Sequence, residues 1–335
     1  MKLILDCFGG DKGCKPCIEA AKRAAKDHPE LSFVLVGDEP QIRAELPEAG
    51  GQFEILHAPD TVDGNDKPTD AIRLKRESSM IQAIRLLRED DSANGLISVG
   101  PTGVLIAAAT LRIGRIEGVR RPAFCPILPT MTGGIVGICD SGANVACTPE
   151  MLLQFAVMGS EYLRAAFGIG SPRVALLNVG TEEEKGDDLH REAYQLLKAA
   201  NGLNFVGNME SRDLLSGRYD LVVCDGFSGN VLVKTTEGTA LELLKKIKRD
   251  IYSRFLYKLG ALLMKKMFEE EKRFMNYQNY GGSVLLGTEK IIIKGHGSSD
   301  ATAVYRCIEQ ALAMSGSNLN EKIQQHLNSE EEIHV

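Results

Sequence analysis

The run Asp220-Leu-Val-Val-Cys-Asp-Gly-Phe-Ser-Gly-Asn-Val-Leu-Val-Lys-Thr-Thr-Glu-Gly238 passes from apolar to glycine-rich and back to apolar. Residues 221–224 are continuously apolar, the pattern of a short strand buried on both faces of a parallel sheet. Residues 225–230 break that pattern with two glycines and three short polar side chains, and from Val231 the apolar residues read as a helix. A strand, a glycine loop and a helix start aim backbone N–H groups and the positive end of a dipole at one point. That arrangement suits an anion.

The same unit recurs along the chain. Strands are expected at 3–5, 33–36, 53–56, 95–99, 135–139, 173–179, 203–206 and 291–294, and helices at 16–27, 79–88, 104–111, 148–167, 189–200 and 300–314. Several strands end in polar, glycine-rich loops: Asp6-Cys-Phe-Gly-Gly-Asp11, Gly100-Pro-Thr-Gly103, Asp140-Ser-Gly-Ala-Asn144, a loop from Gly180 to Asp188 that contains Lys185, residues 207–210, and Gly295-His-Gly-Ser-Ser299. A long polar loop is expected from Ala58 to Asp70. The rhythm predicts a doubly wound α/β fold of three layers, α/β/α, with a largely parallel sheet. One domain is expected over 1–315, followed by a C-terminal helix and acidic tail over 316–335.

The chain has 335 residues, 44% hydrophobic and 25% charged, with a formal net charge of −6. An acidic balance argues against a general nucleic-acid binder. An acid at Asp6 comes too early for a signal peptide, and no apolar run is long enough to span a bilayer, so a soluble, cytoplasmic location is expected. Eight cysteines are read as reduced thiols: Cys14 and Cys17 form the one C-x-x-C, without the second pair that a zinc site needs. No dinucleotide fingerprint and no P-loop is present. Gly226-Phe-Ser-Gly-Asn230 misses the nucleophile elbow by one position, which takes Ser228 out of that role. With six histidines and no H-E-x-x-H pair, neither a metal nor a cofactor is expected. Lys234 and Glu237 are read as bracing their loop. His296, with flexible backbone on both sides, reads as functional.

Together these loops resemble one family. Asp6…Gly9-Gly10-Asp11, Thr102-Gly103, Leu128-Pro129-Thr130, Gly142-Ala143-Asn144-Val145, Lys185-Gly186, Asp225-Gly226-Phe227…Gly229-Asn230, Lys234-Thr235…Glu237-Gly238 and His296-Gly297-Ser298-Ser299 are similar, in order over 1 to about 315, to the phosphate acyltransferases of bacterial phospholipid synthesis. The resemblance implies an isocitrate/isopropylmalate-dehydrogenase-like fold and a homodimer. It also implies transfer of a fatty acyl group from acyl carrier protein to inorganic phosphate. The acyl phosphate would then serve a membrane glycerol-3-phosphate acyltransferase. Cys7, Phe8, Pro101 and Ala146 depart from the family's usual alanine, methionine, asparagine and aspartate, and Pro101 offers no amide donor.

The chemistry fits these loops. Phosphate is itself a nucleophile, so the protein has to hold it beside a thioester, offset charge repulsion and stabilise an oxyanion. Lys185 would supply a cation to phosphate, Asn230 an amide to the carbonyl oxygen, and His296 either a proton for the departing thiolate or a phosphate contact. Gly9, Gly10, Gly229, Gly297, Ser298 and Ser299 would offer backbone N–H groups. Asp6, Asp11, Thr102, Gly103, Asn144 and Asp225 are the remaining candidate substrate contacts.

A basic amphipathic arm is expected at about 240–280. Between 245 and 268 eight basic residues face one acid, while Ile251, Phe255, Leu259, Leu262, Leu263 and Met267 recur at helical spacing. Lys258, Leu262, Leu263, Lys265 and Lys266 would meet a membrane surface or the acidic carrier protein, or the arm is a dimer or core helix. Two competing functions are a phosphotransacetylase-like enzyme using acyl-coenzyme A and a non-catalytic membrane-associated scaffold of lipid synthesis.

Overall fold

The computed structural model describes residues 1–47, 51–274 and 280–331. Its strands are β1 (Lys2–Asp6), β2 (Ser32–Gly37), β3 (Phe53–His57), β4 (Ala93–Ser98), β5 (Ala123–Cys125), β6 (Ile127–Pro129), β7 (Ile135–Cys139), β8 (Arg173–Asn178), β9 (Asn204–Glu210), β10 (Leu221–Val223), β11 (Ser283–Leu286) and β12 (Ile291–Lys294). The helices are α1 (Lys15–Asp27), α2 (Glu39–Glu45), α3 (Pro68–Leu74), α4 (Ser79–Glu89), α5 (Thr102–Arg112), α6 (Pro149–Phe167), α7 (Asp188–Ala199), α8 (Gly226–Ser253), α9 (Phe255–Leu263), α10 (Lys265–Phe274), α11 (Ala301–Ser315) and α12 (Leu319–Glu331).

The expected α/β/α arrangement is present, built on two largely parallel sheets. One has the order β3-β2-β1-β4-β12-β11-β5, the other β6-β7-β10-β8-β9. Only β11 and β6 run antiparallel to their neighbours. The chain crosses between sheets at Pro126, which separates β5 from β6 and accepts a hydrogen bond from Ile138 N on β7.

Period-2 alternation explains the layers. Leu3 and Leu5 of β1, Val174 and Leu176 of β8, and Leu221 and Val223 of β10 point into one shared core with α1, α6 and α11. The residues between them point the other way: Ile4 joins α4 and α5, while Ala175 and Val222 join the start of α8. One helical layer, α1, α6 and α11, thus covers the same face of both sheets, and α4, α5 and the start of α8 cover the opposite face.

Several expected boundaries move. Residues 207–210 are strand, because β9 continues past an irregularity opposite Val174/Leu176 and pairs Met209 with Leu177. The polar loop that starts at Ala58 is shortened by α3, with Pro68 in its first turn. Within the 316–335 segment α12 packs onto the main body: its Ile323 and Leu327 are buried in the shared core. Its end at 332–335, like 275–279 of the expected arm, lies outside the described residues.

Candidate active site

Two buried aspartates organise the loops at the C-terminal ends of the strands. Asp6 closes β1 at 0% exposure. It accepts from Ser79 Oγ at 2.6 Å, Ser98 Oγ at 2.7 Å and Phe8 N at 3.4 Å. Asp140, just after β7, is also at 0% exposure. It accepts from Phe124 N at 2.9 Å, Ala143 N at 3.0 Å, Asn144 N at 2.6 Å and Asn144 Nδ2 at 3.0 Å. Burial pushes both carboxyls up, and these donors pull them back down. Every partner is a donor, so each position needs a group that only accepts.

The Asp140 loop seats the start of α8. Asp225 caps that helix by accepting from Ser228 N at 2.9 Å. Gly226 N donates to Asn144 O at 2.7 Å. A side chain at Gly229 would overlap the Asp140 carbonyl oxygen, so only glycine lets the helix lie this close. Residues 226–230, expected as a loop, are therefore the first turns of α8, and they carry Asn230 to the cavity. In the other sheet a side chain on Gly9 would overlap the Gly100 backbone, and Asp11 N donates to Gly297 O at 2.9 Å. The loops after β1, β4 and β12 are thereby tied together.

Between the sheets lies a cavity of about 340 Å³. Thr102, Gly103 and Ile106 reach it from α5, and Lys294, Gly295 and His296 from the end of β12. Phe124, Ile127 and Leu128 come from the crossover between sheets, Ser141 and Gly142 from the Asp140 loop, and Asn230, Val233, Lys234 and Glu237 from α8. One wall is apolar, and the remainder carries amide, hydroxyl, imidazole, ammonium and carboxylate groups. His296 Nδ1 accepts from Ser298 N at 3.2 Å, which leaves Nε2 to carry the proton of the neutral ring. Burial lowers the His296 pKa, as do Lys294 and Lys234, while Asp11 raises it. Glu237 is pushed up by burial.

The structure thus brings Thr102, Gly103, Asn230 and His296 together. Gly9, Gly10, Asp11, Gly297, Ser298 and Ser299 form the loops beside His296, outside the cavity lining. Four expected contacts have other work: Asp6 and Gly229 are buried in the packing, Asp225 caps α8, and Asn144 Nδ2 is taken by Pro122 O and Asp140. Lys185 is exposed and does not line the cavity. Its loop follows β8, the strand beside β10, so it rises from the same edge of the sheet. Asn178 Nδ2 holds Lys185 O at 3.0 Å, and Asn208 Nδ2 holds Glu182 O at 2.7 Å, which fixes the backbone around it.

Asp140 and Lys294 are the groups that sequence reasoning missed. Each closes an apolar strand with a charge, as Asp6 does. Five of the thiols are poor nucleophiles. A hydrogen bond with Cys17, together with burial, holds Cys7 well above the usual thiol range, and burial does the same to Cys139 and Cys224. Cys147 and Cys307 are pushed up to about 12.

The fatty acid synthesis protein family model matches residues 1–322. A phosphate acyltransferase of Halalkalibacterium halodurans is 45% identical over 314 residues, 94% of this chain and 93% of that protein. Among solved structures, a phosphotransacetylase from Streptococcus pyogenes superposes with a TM-score of 0.60 at 16% identity, over 94% of each chain. A putative 4-hydroxythreonine-4-phosphate dehydrogenase from Salmonella typhimurium gives 0.50 at 12% identity, over 94% of this chain and 99% of that one. At such identities these two structures speak for the fold alone.

Replacing Asp140 by Asn turns an amide donor toward backbone N–H groups. Asp140→Asn is expected to lower the unfolding free energy by about 1–3 kcal/mol in urea titrations. Turnover should fall with it, because the seat of Asn230 shifts.

Proposed function

This chain belongs to the phosphate acyltransferase family, and from that premise we propose that it transfers a fatty acyl group from acyl carrier protein to inorganic phosphate. A phosphate oxygen attacks the thioester carbonyl, the tetrahedral oxyanion collapses, the C–S bond breaks, and the thiolate leaves and takes a proton. The products are acyl phosphate and free carrier thiol. The observation that carries this reading is the one cavity that joins Asn230 and His296 to an apolar wall of Ile106, Phe124, Ile127, Leu128 and Val233. Asn230 donates its amide to the developing oxyanion, and His296 delivers the proton to the thiolate. Lys185, exposed on its braced loop outside the cavity lining, contributes positive charge from the same edge of the sheet.

The arm favours a carrier protein and a membrane over a small soluble donor. α8 leaves the cavity as one helix, and α9 and α10 continue it past breaks at Arg254 and Met264. Leu262 is 66% exposed and Leu263 84%, which speaks against the core-helix reading. Lys265 and Lys266 pair with Glu269 and Glu270 at 3.7 and 3.8 Å, so the basic face is weaker than the 245–268 count suggested. Lys258 lies among the exposed apolar residues of α9. No helix among the described residues is long and apolar enough to cross a membrane. We therefore assign the arm to peripheral contact with a membrane surface. There acyl phosphate passes to a membrane glycerol-3-phosphate acyltransferase, with the enzyme acting as a homodimer in the cytoplasm.

Incubation with phosphate and either acyl carrier protein or coenzyme A thioesters, followed by hydroxylamine trapping, tests the reaction and its donor. Acyl phosphate is expected with the carrier protein. Asn230→Ala should lower turnover about 10²–10³-fold, and Lys185→Ala should remove most of it. Preference for the coenzyme A thioester would favour the phosphotransacetylase-like alternative, and no product from either donor would favour the scaffold. For the arm, wild type should float with anionic liposomes and Leu262→Glu should stay in the soluble fraction; identical soluble behaviour contradicts the assignment.

A further inference from the structure

Three adjacent parallel strands carry Asp6, Ser98 and Lys294 in register at their C-terminal ends. That edge of a parallel sheet is where α/β folds receive ligands. The three side chains fare differently. Both oxygens of Asp6 are engaged by the Ser79 and Ser98 hydroxyls. Lys294 lines the cavity, and its Nζ donates to the Gly295 carbonyl.

Among the described residues no carboxylate closes a contact ion pair with Lys294; Asp6 and Asp11 act on it through space. Lys294 is half-buried, and a half-buried ammonium without a contact counterion gains from an anion placed beside it. The cavity is where such an anion fits. Lys234 shares the cavity but is exposed on α8, and Lys185 lies outside the lining.

We propose that Lys294 is the phosphate-binding cation of this cavity, holding the inorganic phosphate that attacks the thioester. The inference rests on the phosphate acyltransferase reading and adds the residue that positions its nucleophile. Held between Lys294 and Asn230, phosphate and carbonyl meet with their charges offset from opposite walls, which is the positioning this reaction needs.

The pH dependence has a definite sign. Burial pulls the Lys294 ammonium down to about 8, against Cys307, Asp6 and Asp11, which raise it. Asp6 faces it from β1, Asp11 from the loop after β1 and Cys307 from α11; Lys234 and Glu237 share its cavity from α8, and His296 from its own loop. Below about 8 Lys294 is charged and binds phosphate. Above it the charge and the affinity are lost. Arginine keeps its charge throughout.

Two measurements on the full-length protein test this: KM for phosphate in acyl phosphate formation, and the rise in Tm on adding inorganic phosphate. Lys294→Met should lower kcat/KM for phosphate about 10²-fold and abolish the phosphate-dependent rise in Tm. Lys294→Arg should keep that rise and move the loss of phosphate affinity to higher pH. Lys294→Met with wild-type KM for phosphate and a wild-type rise in Tm would overturn the inference, even if its Tm without phosphate were lower. Because the Tm readout needs no turnover, wild type that gains Tm with phosphate yet makes no acyl phosphate would refute the reaction while leaving the phosphate site standing.

Discussion

Asp6 and Asp140 impose the constraint from which the rest of the site follows. Each is a carboxylate out of water at the end of a parallel strand, and each can stay there only while several donors face it. Asp6 draws Ser79 from α4 and Ser98 from β4, which settles the loops after β1 and β4. Asp140 draws three backbone N–H groups and the Asn144 amide, which settles the loop under α8. One such post per sheet leaves a cavity between the sheets whose walls come from six separate stretches of chain. The rigidity that positions Asn230 and His296 comes from these posts.

That construction suits a reaction in which the protein binds and orients but does not become acylated. Cys7, Cys139 and Cys224 are held protonated, and Ser228 lies in the first turn of α8, its N–H on the capping carboxylate. Apart from Glu237, the polar groups that line the cavity are instead donors and cations, the groups that stabilise an oxyanion and hold a dianion. The apolar wall beside them fits an acyl group. α8 links the two ends of the process, since its first turns line the cavity and its later turns lead to an exposed apolar arm.

Much of this was legible before the structure, for physical reasons. Strands such as 3–5 and 221–224 declare themselves because burial on both faces demands unbroken apolar runs. Helices at 79–88 and 148–167 do so through spacing and caps. His296 stood out because glycines flank it, and Asn230 through the family resemblance. The relations that remained hidden are long-range. Asp6 meets serines 73 and 92 residues away, so no local pattern separates a loop-organising carboxylate from a substrate ligand. Gly226 to Asn230 looked like a loop because glycines read as breakers; in the fold they are what lets a helix start press against the Asp140 carbonyl. Lys294 was passed over as a strand end, since only the pairing of β12 with β4 places it beside Ser98, with Asp6 on the next strand. Lys185 was legible as a loop lysine, while its place outside the cavity lining depends on how its loop is braced by Asn178 and Asn208.

The central claim is that phosphate attacks the thioester directly, with no acyl group passing through the protein. Intact-protein mass measurement after rapid acid quench, with enzyme in excess over acyl carrier protein thioester and with phosphate present or withheld, tests it most directly. The account predicts unmodified enzyme at every time point and acyl phosphate only when phosphate is present. An enzyme species heavier by one acyl group, formed without phosphate and discharged when phosphate is added, would contradict it.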